Sequence, residues 1–185
     1  MTTIYLVRHA HSYYTPDEIN RPLSEKGLMD ADAVTDCLKH ENIHAVCSSP
    51  YKRAVQTVEG IAAYIEKEIE LIEDFKERTL TVNPAENFQK AITKLWKDPS
   101  FSWEGGESND IAQKRGVKAI KEVLKKYRGQ NVVIGTHGNI MVLIMNDFDS
   151  QYDFTFWNQL AMPDIFKLDF EGDSLKQVKR LGASI

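Results

Sequence analysis

Ile4-Tyr5-Leu6-Val7-Arg8-His9 is the stretch on which the fold turns. Three of its four apolar residues are β-branched or aromatic, and the run ends on a basic pair; residues 2–8 therefore read as a buried strand that delivers His9 to a loop. A second run, Val132-Val133-Ile134, leads through Gly135-Thr136 to His137 in the same way. Strands apolar on both faces belong to parallel sheets, and open α/β sheets place ligands at the carboxyl ends of their strands. Two histidines arriving at two strand ends, one beside an arginine that is always charged, point to a site for an anion.

Outward from these strands, helical and strand patterns alternate. Ser24 caps an expected helix from about Glu25 to His40, with Leu28, Ala31, Val34 and Leu38 facing inward. Ala45 to Ser48 reads as a short strand. Ser49-Pro50 then reads as a cap and first helical residue, ahead of an inner stripe of Ala54, Val58, Ile61, Ala62 and Ile65. Glu70 to Ile72 is a third short strand. Residues 76–108 form a small helical cap or insertion, with Asn83-Pro84 opening a helix that carries Phe88, Ile92 and Leu95. Residues 109–128 are a helix ended by Gly129, Asn139 to Asn146 a further helix, and Ile165 to Phe170 with Leu175 to Leu181 a hairpin around Glu171-Gly172-Asp173. The pattern predicts an α/β protein: a three-layer α/β/α sandwich with a mostly parallel central sheet, and one domain over residues 1–185.

The composition fits that class and narrows the partners. The 185 residues are 42% hydrophobic and 27% charged, with a formal net charge of −4. An acidic balance argues against nucleic acid or an anionic membrane as partner. No apolar stretch approaches the roughly 18 residues of a membrane span, and the amino-terminal residues lack a signal-peptide pattern. Cys37 and Cys47 form no CxxC pair and read as apolar fillers of a reduced, cytoplasmic protein. Oligomeric state is open.

Two further segments carry chemistry. Arg53 lies in Ser48-Ser49-Pro50-Tyr51-Lys52-Arg53-Ala54, in the first turn of a helix, where free amides and the helix dipole favour an anion and the guanidinium adds a bidentate fork. Gly135 and Gly138 flank His137 and allow backbone to approach a ligand closely. Glu77, in Asp74-Phe75-Lys76-Glu77-Arg78, is one acid in a charged run.

In chain order these segments resemble the histidine phosphatase superfamily, also called phosphoglycerate mutase-like. Arg8-His9-Ala10 is similar to its Arg-His-Gly signature. Ser48-Ser49-Pro50-Tyr51-Lys52-Arg53-Ala54-Val55-Gln56-Thr57 matches its Ser-Ser-x-x-x-Arg-Ala-x-x-Thr pattern. Arg21-Pro22-Leu23-Ser24-Glu25-Lys26-Gly27, Gly105-Gly106-Glu107-Ser108 and Thr136-His137-Gly138 resemble three further boxes. The resemblance implies a nucleophile at His9, a phosphate pocket of Arg8, Arg53, His137 and Gly138, and a proton donor at Glu77, with Glu73, Glu104 and Glu107 as other candidates. It implies no metal and no cofactor. The sequence departs from the family at Ala10, at His11, which can add a substrate contact, and at Thr15, where many members have asparagine. A small phosphorylated metabolite is the implied substrate, and hydrolysis the implied reaction. A phosphoglycerate mutase is the alternative within the family; the short chain after the hairpin favours release to water. A non-catalytic phosphate-binding module is the alternative outside it. A metal site on His9 and His11 is disfavoured because no suitable cysteine or carboxylate cluster accompanies them.

Overall fold

The computed structural model describes residues 1–83 and 85–182. Six strands form one sheet: β1 (Thr2–Arg8), β2 (Ala45–Ser48), β3 (Ile69–Leu71), β4 (Asn131–Thr136), β5 (Asp164–Glu171) and β6 (Ser174–Arg180), in the order β3-β2-β4-β1-β5-β6. The pairs β3–β2, β2–β4 and β4–β1 are parallel; β5 joins β1 antiparallel and β6 completes a hairpin. The α-helices among the described residues are α1 (Glu25–Leu38), α2 (Lys52–Tyr64), α3 (Phe88–Lys97), α4 (Asn109–Lys126), α5 (Gly138–Phe148) and α6 (Phe154–Trp157).

Alternation along β1 builds both faces of the sheet. Tyr5 and Val7 pack with Val34 and Leu38 of α1 and Val58 and Ile61 of α2. Ile4 and Leu6 pack with Ile120 of α4 and with Ile140 and Ile144 of α5. This is the expected three-layer sandwich. β1 and β4 lie side by side, yet the chain leaves β1 for one face of the sheet and β4 for the other. A crevice opens at such a switch point, and His9 and His137 sit there, each one residue beyond the paired Arg8 and Thr136.

Several local expectations change. Gly27 faces inward in α1, and Leu28 is exposed. Helix α2 starts at Lys52, because Ser49 is engaged elsewhere and Tyr51 is the N-cap. Helix α3 starts at Phe88, after Asn87, whose side chain accepts from the Lys90 amide. The expected start at Asn83-Pro84 is overturned on that evidence of capping, and Pro84 itself lies outside the described residues. Ile92 and Leu95 are buried as expected, while Phe88 is exposed.

Candidate active site

Register fixes the centre of the site. Arg8 pairs with Thr136 and Ser48 with Gly135, so β1, β2 and β4 end level. The His9 amide donates to Thr136 O at 3.0 Å, and the Ser49 amide to Gly135 O at 2.8 Å. Gly135 serves packing: a Cβ there would lie 2.9 Å from Ala54 O of α2 and 2.9 Å from Ser48 Oγ.

His9 is buried. Its Nδ1 lies 2.7 Å from Ala10 O, a carbonyl that can only accept, so Nδ1 carries the proton. Its Nε2 is then the acceptor for Arg53 Nε at 3.3 Å. Burial first, and then the Arg53 guanidinium, push the His9 pKa down to about 3. Neutral imidazole, its unprotonated Nε2 turned to Arg53, is the resting form. His137, fully buried, has its ring centroid 5.2 Å from that of His9. Its Nε2 is 2.8 Å from Ser49 Oγ, and its Nδ1 has no partner. Burial and then His9 hold its pKa well below the ordinary value.

Two guanidinium groups flank the imidazoles. Arg53 is only 3% exposed and donates from Nη1 to Glu18 O at 2.7 Å and from Nη2 to Glu18 Oε1 at 3.3 Å. Arg8 donates from Nη1 to Ala161 O at 2.9 Å, and its Nε is buried without a partner. The Arg8 side chain lies on Gly138, where an added Cβ would be 3.0 Å from Nε. Burial lowers both arginine pKa values, opposed chiefly by Glu77 at Arg8 and by Glu18 at Arg53.

Glu77 reaches this cluster from the loop after the 3-10 turn Glu73–Phe75. Oε1 accepts from the Arg78 and Ile140 amides at 2.8 and 3.0 Å, and Oε2 from the Asn139 amide at 3.1 Å. It thereby caps the start of α5 beside Gly138. Of the other acids considered, Glu107 is clamped by Arg115 Nε and Nη2 at 2.8 and 2.9 Å, and Glu73 pairs with Lys76. Glu104 is exposed.

The structure thus brings Arg8, His9, Arg53, Glu77, His137 and Gly138 together. His11 and Thr15 are not hydrogen-bonded to that group: His11 Nδ1 meets Ser24 Oγ at 2.8 Å, and Thr15 Oγ1 donates to Asp17 O. The amides expected to be free near Arg53 are occupied, Tyr51 N by Ser49 Oγ and Lys52 N by Ile19 O. Sequence reasoning missed Glu18 and Ser49 as side chains of the site. A groove of about 800 Å³ lies at the far end of the sheet, by Thr2 and Gly172, lined by Lys114, Lys121 and Lys125 of α4 and apart from this cluster.

A neutral imidazole walled by guanidinium groups at the carboxyl edge of a parallel sheet is an arrangement of an α/β protein suited to receive a phosphoryl group. The chain belongs to the histidine phosphatase superfamily, branch 1, whose family model matches residues 4–182. It is 32% identical over 158 residues to the metal-independent phosphoserine phosphatase of Arabidopsis thaliana, covering 76% of this chain and 66% of that protein. It is 27% identical to phosphoserine phosphatase 1 of Hydrogenobacter thermophilus, covering 74% and 71%. The chain therefore spans about two thirds of the length of these relatives. A mutant phosphoserine phosphatase from Entamoeba histolytica, solved with phosphoserine, superposes with a TM-score of 0.81 at 20% identity, covering 100% of this chain and 98% of that one.

Proposed function

We propose that this protein is a phosphomonoester phosphatase for small phosphorylated metabolites, working through a phosphohistidine on His9. The observation that carries this reading is the tautomer of His9: Nδ1 is fixed by Ala10 O, which leaves Nε2 unprotonated and facing Arg53. In the first step Nε2 attacks phosphorus, the P–O ester bond breaks, and Glu77 gives a proton to the leaving oxygen. In the second, Glu77 takes a proton from water as that water attacks phosphorus and the P–N bond breaks. Inorganic phosphate leaves, and His9 returns to its neutral form. Arg8, Arg53 and His137 surround the transferring group. Such catalysis is mostly positioning and charge neutralisation, and the guanidinium groups of Arg8 and Arg53 supply the charge. The relatives named phosphoserine phosphatase support a phosphorylated hydroxy acid or amino acid as the substrate class.

Rapid acid-free quenching with a ³²P-labelled ester tests the mechanism. The expected product is an acid-labile, base-stable phosphoprotein that is absent from His9→Ala. Retention of most turnover by His9→Ala overturns the reading.

A further inference from the structure

Residues 13–22 form a closed strap against the Arg53 side of the site. The Tyr13 amide donates to Pro22 O, which joins its ends, and Lys52 N of α2 donates to Ile19 O at 2.9 Å. Inside the strap, Arg21 Nε and Nη2 hold Thr15 O, and Arg21 Nη2 meets Glu18 Oε2 at 2.9 Å. Glu18 therefore joins Arg21 through one carboxylate oxygen and Arg53 through the other.

We propose that Glu18 is the resident counter-anion of the phosphate pocket: it balances Arg53 in the empty site, the phosphoryl group displaces it, and it retakes Arg53 as phosphate leaves. The inference rests on the phosphatase reading above. A guanidinium only 3% exposed needs a compensating charge, and Glu18 is the carboxylate paired with Arg53 among the described residues. A phosphoryl group on His9 Nε2 arrives at the same guanidinium, because Arg53 Nε is already 3.3 Å from that nitrogen. Two anions at one guanidinium repel, and the dianion is the stronger partner.

The displacement is small. The Glu18 side chain is 48% exposed, so it has solvent to turn into, and it keeps Arg21 as its partner. The strap itself stays anchored through two backbone carbonyls, Glu18 O on Arg53 Nη1 and Ile19 O on Lys52 N. Glu18 is thus a positioning residue acting through Arg53. Its charge weakens phosphate binding by competition and speeds product release.

The test is titration of inorganic phosphate and of vanadate into the wild-type protein, Glu18→Gln and Glu18→Ala by calorimetry, with thermal melts to check folding. Glu18→Gln keeps the shape and removes the charge. Both variants are expected to bind both oxyanions about fivefold more tightly, the size of a partly exposed ion pair, and to show a lower KM with a lower kcat where phosphate release limits turnover. A gain in affinity is an outcome that damage to the strap does not produce. If the wild type binds the oxyanions and the folded variants bind them no more tightly, the counter-anion role is wrong. If the wild type binds neither oxyanion, the phosphatase reading falls instead.

Discussion

Glu77 shows how one side chain can hold two duties. Its three backbone bonds close the start of α5, and its position beside Arg8 and Arg53 makes it the donor in the proposed first step. The duties separate by leaving group. An alkoxide needs a proton as the P–O bond breaks, and a nitrophenolate needs little help. In single-turnover phosphorylation, Glu77→Gln is expected to slow an alkyl phosphate by about 10²–10⁴-fold, the usual worth of a positioned acid, and nitrophenyl phosphate far less. Glutamine also loses one acceptor against the α5 amides, and that damage touches both substrates alike. Equal losses would mean that Glu77 only caps the helix. At this scale Arg8, His9, Arg53 and His137 were legible in the sequence because each ends a strand or opens a helix. Glu18 was not, because residues 13–22 have no periodicity and the Arg53 contact spans 35 positions. Ser49 was read as a helix cap, whereas it holds the His137 ring.

Among the elements, the meeting of β1 with the first turn of α5 does most to shape the pocket. Arg8 ends β1 and its guanidinium crosses Gly138, the first residue of α5, to reach Ala161 O. A methyl group on Gly138 would sit 3.0 Å from Arg8 Nε and 3.2 Å from Cζ, so the guanidinium must yield by a few tenths of an ångström. Gly138→Ala is expected to keep the fold, since alanine favours a helix, while kcat/KM falls about tenfold through misplacement of Arg8. Melting curves and steady-state kinetics measured together check this; full activity would remove Arg8 from the phosphate pocket. The strands and long helices were readable because their apolar periods are strong. Helix α6, four residues long, has too few turns to show a period. The start of α3 was misplaced because Asn87, which supplies its capping oxygen, carries no more signal in sequence than Asn83. The hairpin of β5 and β6 was visible, but its antiparallel pairing with β1 depends on the whole sheet and leaves no local trace.

For the molecule as a whole, burying two neutral histidines at the switch point ties acid stability to the active site. In the unfolded chain both imidazoles regain an ordinary pKa near 6.5. In the folded protein burial and neighbouring cations hold His9 at about 3 and His137 well below its ordinary value. Between those limits the unfolded state binds more protons, so stability rises with pH there. The contribution is fully present above about pH 6.5 and is lost progressively as pH falls toward 3. Between pH 7.5 and pH 5, linkage assigns about 2 kcal/mol of lost stability to His9. Carboxylates such as Glu107, which its Arg115 partner holds below the usual range, add to acid unfolding at lower pH in every variant. His9→Asn removes one histidine and leaves them in place. Urea unfolding of both proteins across that pH range, in buffers free of phosphate and other oxyanions, isolates the difference: the wild type should lose about 2 kcal/mol more than His9→Asn. Phosphate must be absent because a dianion bound between Arg8 and Arg53 would favour protonated imidazole and reverse the slope. Parallel pH curves for the two proteins would mean that His9 titrates alike folded and unfolded, and the neutral nucleophile would then have to be abandoned.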